Sequence, residues 1–164
     1  MARRKGISPV IATVIIVAVT IAVAIAVAFW MTGIIALFTG AVEKLEIVSA
    51  TATPQAEGGW QITVVARNTG TTQTTIDSLF INGILAATRN PNGGWQAGNV
   101  PCLAAAPNFD PAGSDVLRPG DSTTITFTLN AGDCGAFNAQ PGVSIEVKLH
   151  TTGGKEYPKL LTLP

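Results

Sequence analysis

The sequence predicts an α+β chain in which one long apolar helix precedes an antiparallel β-sandwich. Residues 7–38 contain no ionisable side chain, so a helix built from them has no charged face to turn toward water. After residue 44, short runs alternate apolar and polar residues, and turn signals rich in Gly, Pro and Asn separate these runs. Alternation with a period of two is typical of strands with one buried face. These two sequence patterns divide the chain into a helix that must be buried on all sides and a head domain of strands.

The apolar segment is long enough to cross a bilayer. A helix over residues 7–38 would measure about 48 Å at roughly 1.5 Å per residue, whereas roughly 20 residues span the hydrocarbon core. The apolar region of a secretory signal peptide is only about 7–15 residues long, so this segment is not one. Ser8 as N-cap and Pro9 at the first helical position predict where the helix starts. A plain membrane anchor also fits these features.

One side of the predicted helix carries small residues. Ala18, Ala22 and Ala26 recur every fourth residue and would form a ridge where neighbouring helices approach closely. Alanine that merely fills an apolar helix explains the same spacing equally well.

The segment before the helix is a short basic head that ends in glycine and is followed by Ile-Ser-Pro-Val-Ile-Ala-Thr-Val. This order resembles the N-terminus of archaeal type IV pilins, which carry a class III signal peptide and share a superfamily with archaellins. The resemblance implies that a prepilin peptidase removes residues 1–6. Bacterial type IV pilins usually have Glu at the fifth mature position, where this chain has Ile11, so the archaeal branch fits better. The implied processing signal, cut between Gly6 and Ile7, comprises Arg3, Arg4, Lys5, Gly6 and Ile7.

Basic residues flanking a membrane helix stay in the cytoplasm, which predicts that residues 41–164 form an extracellular domain behind the helix of residues 7–40. The chain has ten basic and ten acidic side chains, and three of the basic ones precede the cut. The mature chain is therefore slightly acidic, and we expect no nucleic-acid binding, which needs a basic face.

Seven or so strands are predicted in the head domain, with Asn82-Gly83 as a type I′ hairpin turn, Pro119-Gly120 as a type II turn and Pro158 marking an edge strand. Residues 89–115 are rich in Pro and Gly and read as a long surface loop. The predicted strands are 44–53, 60–68, 75–81, 84–88, 122–129, 142–150 and 155–163.

The fragments Ala-Arg-Asn-Thr-Gly and Leu-Arg-Pro-Gly-Asp-Ser-Thr-Thr-Ile resemble those of immunoglobulin-like extracellular modules, including the heads of some archaeal pilins. The resemblance implies an immunoglobulin-like sandwich. The Cys-Trp-Cys spacing of antibody domains is absent.

Cys102 and Cys134 are the only cysteines, and both lie on the predicted outer side, where disulfides persist. A bridge over about 33 residues would stabilise the fold by roughly 3–4 kcal/mol. Free thiols and a metal site are the alternatives. A metal site needs more ligands than the sole histidine, His150, can add, so we expect a disulfide and no metal.

Carboxylates and hydroxyls give no catalytic motif. The spacing of the aspartates in the predicted loops matches no EF-hand, and these aspartates are expected to cap turns. They are Asp110, Asp115, Asp121 and Asp133. No Gly-x-Ser-x-Gly elbow and no Gly-rich phosphate loop occurs, so we expect no enzyme and no cofactor.

The threonine-rich runs at 69–75 and 122–124 offer hydroxyls for O-linked glycans, and the chain contains no Asn-x-Ser/Thr acceptor.

The predicted function is that of a major structural subunit of an archaeal type IV adhesion pilus. The expected partners are other copies of the chain in a helical filament, the prepilin peptidase, the pilus assembly machinery, and the membrane before assembly. Two alternatives keep the same sequence plan, an archaellin and a membrane-anchored extracellular binding module that never polymerises.

Overall fold

The computed structural model describes residues 9–38, 42–56, 58–111 and 115–164. The chain divides into two compact units, Met1–Gly40 and Ala41–Pro164. The leader of residues 1–6, Ile7 and the proposed N-cap Ser8 lie outside the described residues.

The described part of the first unit is one helix, α1, Pro9–Phe38. From Pro9 to Ile34 none of its side chains is buried. Its threonine hydroxyls bond to the helix backbone, with Thr13 Oγ1 donating to Val10 O at 2.8 Å and Thr20 Oγ1 donating to Val17 O at 2.8 Å. Because these hydroxyls are satisfied locally, α1 presents apolar surface on every side.

The head domain forms two main antiparallel sheets and a small ribbon. One sheet has the order β1-β2-β8-β6, the other has the order β12-β11-β3-β4-β5 with β7 paired to β3, and β9 pairs with β10. The strands are β1 Leu45–Pro54, β2 Trp60–Asn68, β3 Thr74–Ile81, β4 Ile84–Arg89, β5 Trp95–Ala97, β6 Asn108–Asp110, β7 Val116–Leu117, β8 Ser122–Leu129, β9 Gly132–Asp133, β10 Asn138–Ala139, β11 Ser144–Thr151 and β12 Glu156–Thr162.

This strand order is that of an immunoglobulin sandwich. In the ABED/CFG scheme, β1, β2, β8 and β6 occupy positions A, B, E and D, while β12, β11, β3 and β4 occupy G, F, C and C′. The core contains fully buried side chains from both sheets, such as Ile62 and Ile125 from the first and Ile76 and Ile145 from the second. The predicted fold class, a helix followed by an antiparallel β-sandwich, is confirmed.

The turns also agree with the sequence. Asn82 and Gly83 both have positive φ, 47° and 80°, as a type I′ turn requires. Gly120 has φ 90°, and Asp121 N donates to Arg118 O at 3.0 Å, which closes the predicted type II turn. Pro158 lies on β12, which is an edge strand.

Several details of the strands differ from the predictions. β1 extends past its predicted end at residue 53, and Pro54 pairs with Trp60 as the last residue of the strand, because β1 is an edge strand where a missing N–H is tolerated. Residues 89–115 are not one irregular loop, since they contain β5 and β6. Each of these strands has only three residues, too few to show a period in the sequence.

Candidate functional site

The surface of α1 is the first candidate site. Ala18, Ala22 and Ala26 are all exposed along it. Every fourth residue rises about 6 Å and turns about 40° beyond a full circle, so the three alanines form one slanting strip of small side chains. The structure contains one copy of the chain, and close packing on this strip stays a prediction.

Aromatic residues mark a position on α1 that the sequence interpretation did not use. Phe29 and Trp30 are 74% and 67% exposed. Pro9 and Trp30 are about 32 Å apart along the axis, close to the roughly 30 Å of a hydrocarbon core. An indole with an apolar body and one N–H donor suits the boundary between lipid and water. This distance was available from the sequence once the helix was predicted.

Residues 69–71 form a slot that holds the start of the head domain by backbone hydrogen bonds. Thr69 N and Gly70 N donate to Lys44 O at 2.8 and 3.0 Å, and Thr71 N donates to Val42 O at 2.8 Å. A Cβ at Gly70 would lie 2.3 Å from Val42 O, so only glycine fits there. The sequence predicted none of these hydrogen bonds, because the partners lie more than 20 positions earlier in the chain.

A disulfide joins Cys102 to Cys134, with a Cα–Cα distance of 4.8 Å and both residues buried. Asn130 N donates to Cys102 O at 2.8 Å beside it, and Leu103 bridges to Leu129. The segment that follows β5 is thereby attached to the end of β8, as the sequence interpretation expected.

Two of the loop aspartates cap turns as predicted. Asp121 Oδ2 accepts from Arg118 N at 3.1 Å, and Asp133 Oδ1 accepts from Gly135 N at 2.8 Å. Asp110 is exposed and precedes a cis peptide bond to Pro111.

The carboxylate of Asp115 is buried and forms an ion pair with Arg89, a contact that the sequence did not predict. The two residues are 26 positions apart, and β4 brings Arg89 to this place. The pairing depends on which strands become neighbours, so no local sequence pattern predicts it.

His150 lies on β11, where its Nδ1 is 2.6 Å from Asp77 Oδ1 on the neighbouring strand β3. Phe80 packs edge-on against the imidazole, with ring centroids 6.5 Å apart. In the part of the chain that the structure describes, no three His, Cys, Asp or Glu side chains are grouped as ligands for a metal ion.

Comparison with known proteins gives no family. No protein-family profile matches the sequence, and no curated protein matches it. Among solved structures, the chain is similar to the archaellum periplasmic stator protein FlaG from Sulfolobus acidocaldarius, with 17% identity, a TM-score of 0.46, and coverage of 73% of this chain and 100% of that one. It is also similar to the stator complex of FlaF and FlaG from the same organism, with 15% identity, a TM-score of 0.43, and coverage of 73% and 90%. At these values, the function must be inferred from the residues of this chain.

Proposed function

We propose that this chain is the major structural subunit of an archaeal type IV adhesion pilus. In this proposal α1 is the core of the filament and the β-sandwich is its outer surface. The observation that carries the proposal is that a 30-residue helix has apolar surface on all sides and no buried side chain from Pro9 to Ile34.

Covering that surface releases a large free energy. Between Val10 and Val27, eleven valine and isoleucine side chains are exposed, each by about half or more of its area. Full burial of one such side chain is worth roughly 1.5–3 kcal/mol, so covering the exposed part of all eleven is worth on the order of 10 kcal/mol. Such a helix needs an apolar environment at every stage of its life.

Two environments in succession meet this need. Before assembly the bilayer covers α1, whose backbone and threonine hydroxyls are bonded within the helix and need no water. During assembly the helix leaves lipid, and the equally apolar helices of sibling subunits replace it. Association in such a setting depends on close van der Waals packing, which a strip of small residues favours.

The N-terminal signal completes the proposal. The resemblance of Arg3, Arg4, Lys5 and Gly6 to a prepilin peptidase site supports cleavage before Ile7. The basic leader favours a cytoplasmic N-terminus and an external head. We propose that the chain has no catalytic activity. Its proposed partners are sibling subunits, the peptidase, the assembly machinery and the membrane.

Electron microscopy of material sheared from the cell surface, combined with N-terminal sequencing of its subunit, tests this function. Filaments whose subunit begins at Ile7 are the expected result. Recovery of the chain only from membrane fractions, with no filament containing it, would overturn the proposal in favour of a non-polymerising anchored module. A rotating filament built from this chain would show instead that the chain is an archaellin.

A further inference from the structure

The sandwich has a cleft where one edge of each sheet meets the other. β5 is the last strand of the second sheet, and β6 is the last strand of the first. Trp95 of β5 and Phe109 of β6 stack with ring centroids 4.7 Å apart and an interplanar angle of 23°. Beside the two rings lies a cavity of about 210 Å³, whose lining includes Gly93, Trp95, Pro107, Asn108, Phe109 and Asp115.

A second cavity lies at the same edge strand, β6. It measures about 560 Å³ and shares Ala106, Asn108 and Phe109 with the smaller one. Its wall includes three threonines of β8 whose side chains do not face the core, together with a glutamine amide and a carboxylate. These are Thr124, Thr126, Thr128, Gln61 and Asp110.

The buried charge at the smaller cavity is paired, and the exposed carboxylate of Asp110 lies at the larger one. The Asp115 side chain is only 4% exposed, and the guanidinium of Arg89 is paired with it. No lysine, arginine or histidine lines either cavity within the described part of the chain. A cleft without an unpaired cation gives no preference for phosphate or other anions, which are held by cationic side chains.

The lining matches a neutral polyhydroxylated ring. A pyranose has an apolar face of C–H groups, which packs on aromatic rings, and an edge of hydroxyls, which need amide and carboxylate partners. Pockets for drug-sized ligands measure roughly 300–1,000 Å³, so the smaller cavity has room for about one six-membered ring. The larger cavity extends the site along a row of hydroxyls.

We propose that this cleft binds a neutral glycan, with one pyranose unit against Trp95, whose ring the buried Phe109 supports by stacking, and the next units along β8. Asn108, which lines both cavities and is exposed, bonds to sugar hydroxyls at the junction. Asp115, held in place by Arg89, accepts a hydroxyl hydrogen from the enclosed unit. This binding needs no filament, so it stands or falls separately from the proposed polymerisation.

The test uses the full chain with the substitution Trp30→Phe, which removes the tryptophan of α1 from the fluorescence signal. The protein is purified in an amine-oxide detergent, because sugar-based detergents would compete. Methyl glucoside, methyl mannoside, methyl galactoside and N-acetylglucosamine, each with its disaccharide, are titrated by tryptophan emission and by saturation-transfer NMR. We expect millimolar binding of at least one monosaccharide and about tenfold tighter binding of its disaccharide.

Two variants locate the binding. Asn108→Ala changes an exposed side chain and is expected to weaken binding about tenfold. The matched control Asn138→Ala, also exposed but outside both cavities, is expected to leave binding unchanged. Trp95→Leu is expected to abolish binding, and Asn108→Ala decides the question if that variant does not fold. Absence of binding by every sugar tested, or equal binding by the Asn108 and Asn138 variants, would overturn the proposal.

Discussion

Removal of the Cys102–Cys134 disulfide is expected to destabilise the head domain strongly. The two cysteines are 32 positions apart, and the loop-closure relation for that length gives a contribution of about 3.7 kcal/mol at 25 °C. Both residues are buried, so replacing them with alanine adds no polar group to the core. We therefore expect the double variant Cys102→Ala/Cys134→Ala to lose about 3–4 kcal/mol of unfolding free energy.

The same loss can be expressed as a shift in melting temperature. Unfolding entropy is about 2.1 cal/mol/K per residue near 60 °C, or about 260 cal/mol/K for the head domain of residues 41–164. A loss of 3–4 kcal/mol then lowers Tm by about 12–15 °C.

Urea denaturation followed by tryptophan emission measures the change in the full chain in detergent. Trp60 is 3% exposed, and its Nε1 donates to Pro164 O at 2.9 Å, so its emission reports unfolding of the head. Treatment of the unaltered protein with reductant should reproduce the loss, while the double variant should not respond to reductant. Intact mass before and after reduction and alkylation checks that the bond exists. A loss below about 1 kcal/mol would refute the reasoning, because packing alone would then hold the segment around Cys102 in place.

Two further substitutions each have a matched control. Ala22→Leu is expected to reduce filament yield or filament melting temperature, because overpacking costs about 1–3 kcal/mol at each subunit, whereas Ala24→Leu, about 200° away around the helix, should have the smaller effect. Equal effects, measured by pelleting of sheared filaments at equal membrane levels of processed subunit, would remove the alanine strip from the account. Gly70→Ala is expected to destabilise the head by about 1–3 kcal/mol, because its Cβ would meet Val42 O at 2.3 Å. Gly94→Ala, whose nearest neighbour would be 4.0 Å away, should change the urea midpoint little, and similar midpoints for both variants would contradict the slot.

The long regular elements could be predicted because their periodicity extends over many residues. β2 and β8 have the predicted bounds, since each alternates over eight residues or more. α1 was evident from the absence of any charge. The strand order could be predicted only as a class, because the sequence does not state which strands become neighbours.

The rest depends on contacts between distant parts of the chain. The ion pair of Arg89 with Asp115 and the slot around Gly70 both join residues more than 20 positions apart. β5 and β6, which form the cleft, are too short for a pattern. The cleavage site and the contacts of Ala18, Ala22 and Ala26 involve other molecules, and these predictions await experiment.

A helical reconstruction of the sheared surface filament by electron cryo-microscopy tests the central claim most directly. The account predicts that α1 helices of many subunits fill the filament interior without water between them, that the β-sandwiches form the outer layer, and that the first residue of each subunit is Ile7. A filament whose interior is formed by other chains, or one in which this chain retains Met1 and its α1 lies outside the core, would contradict it.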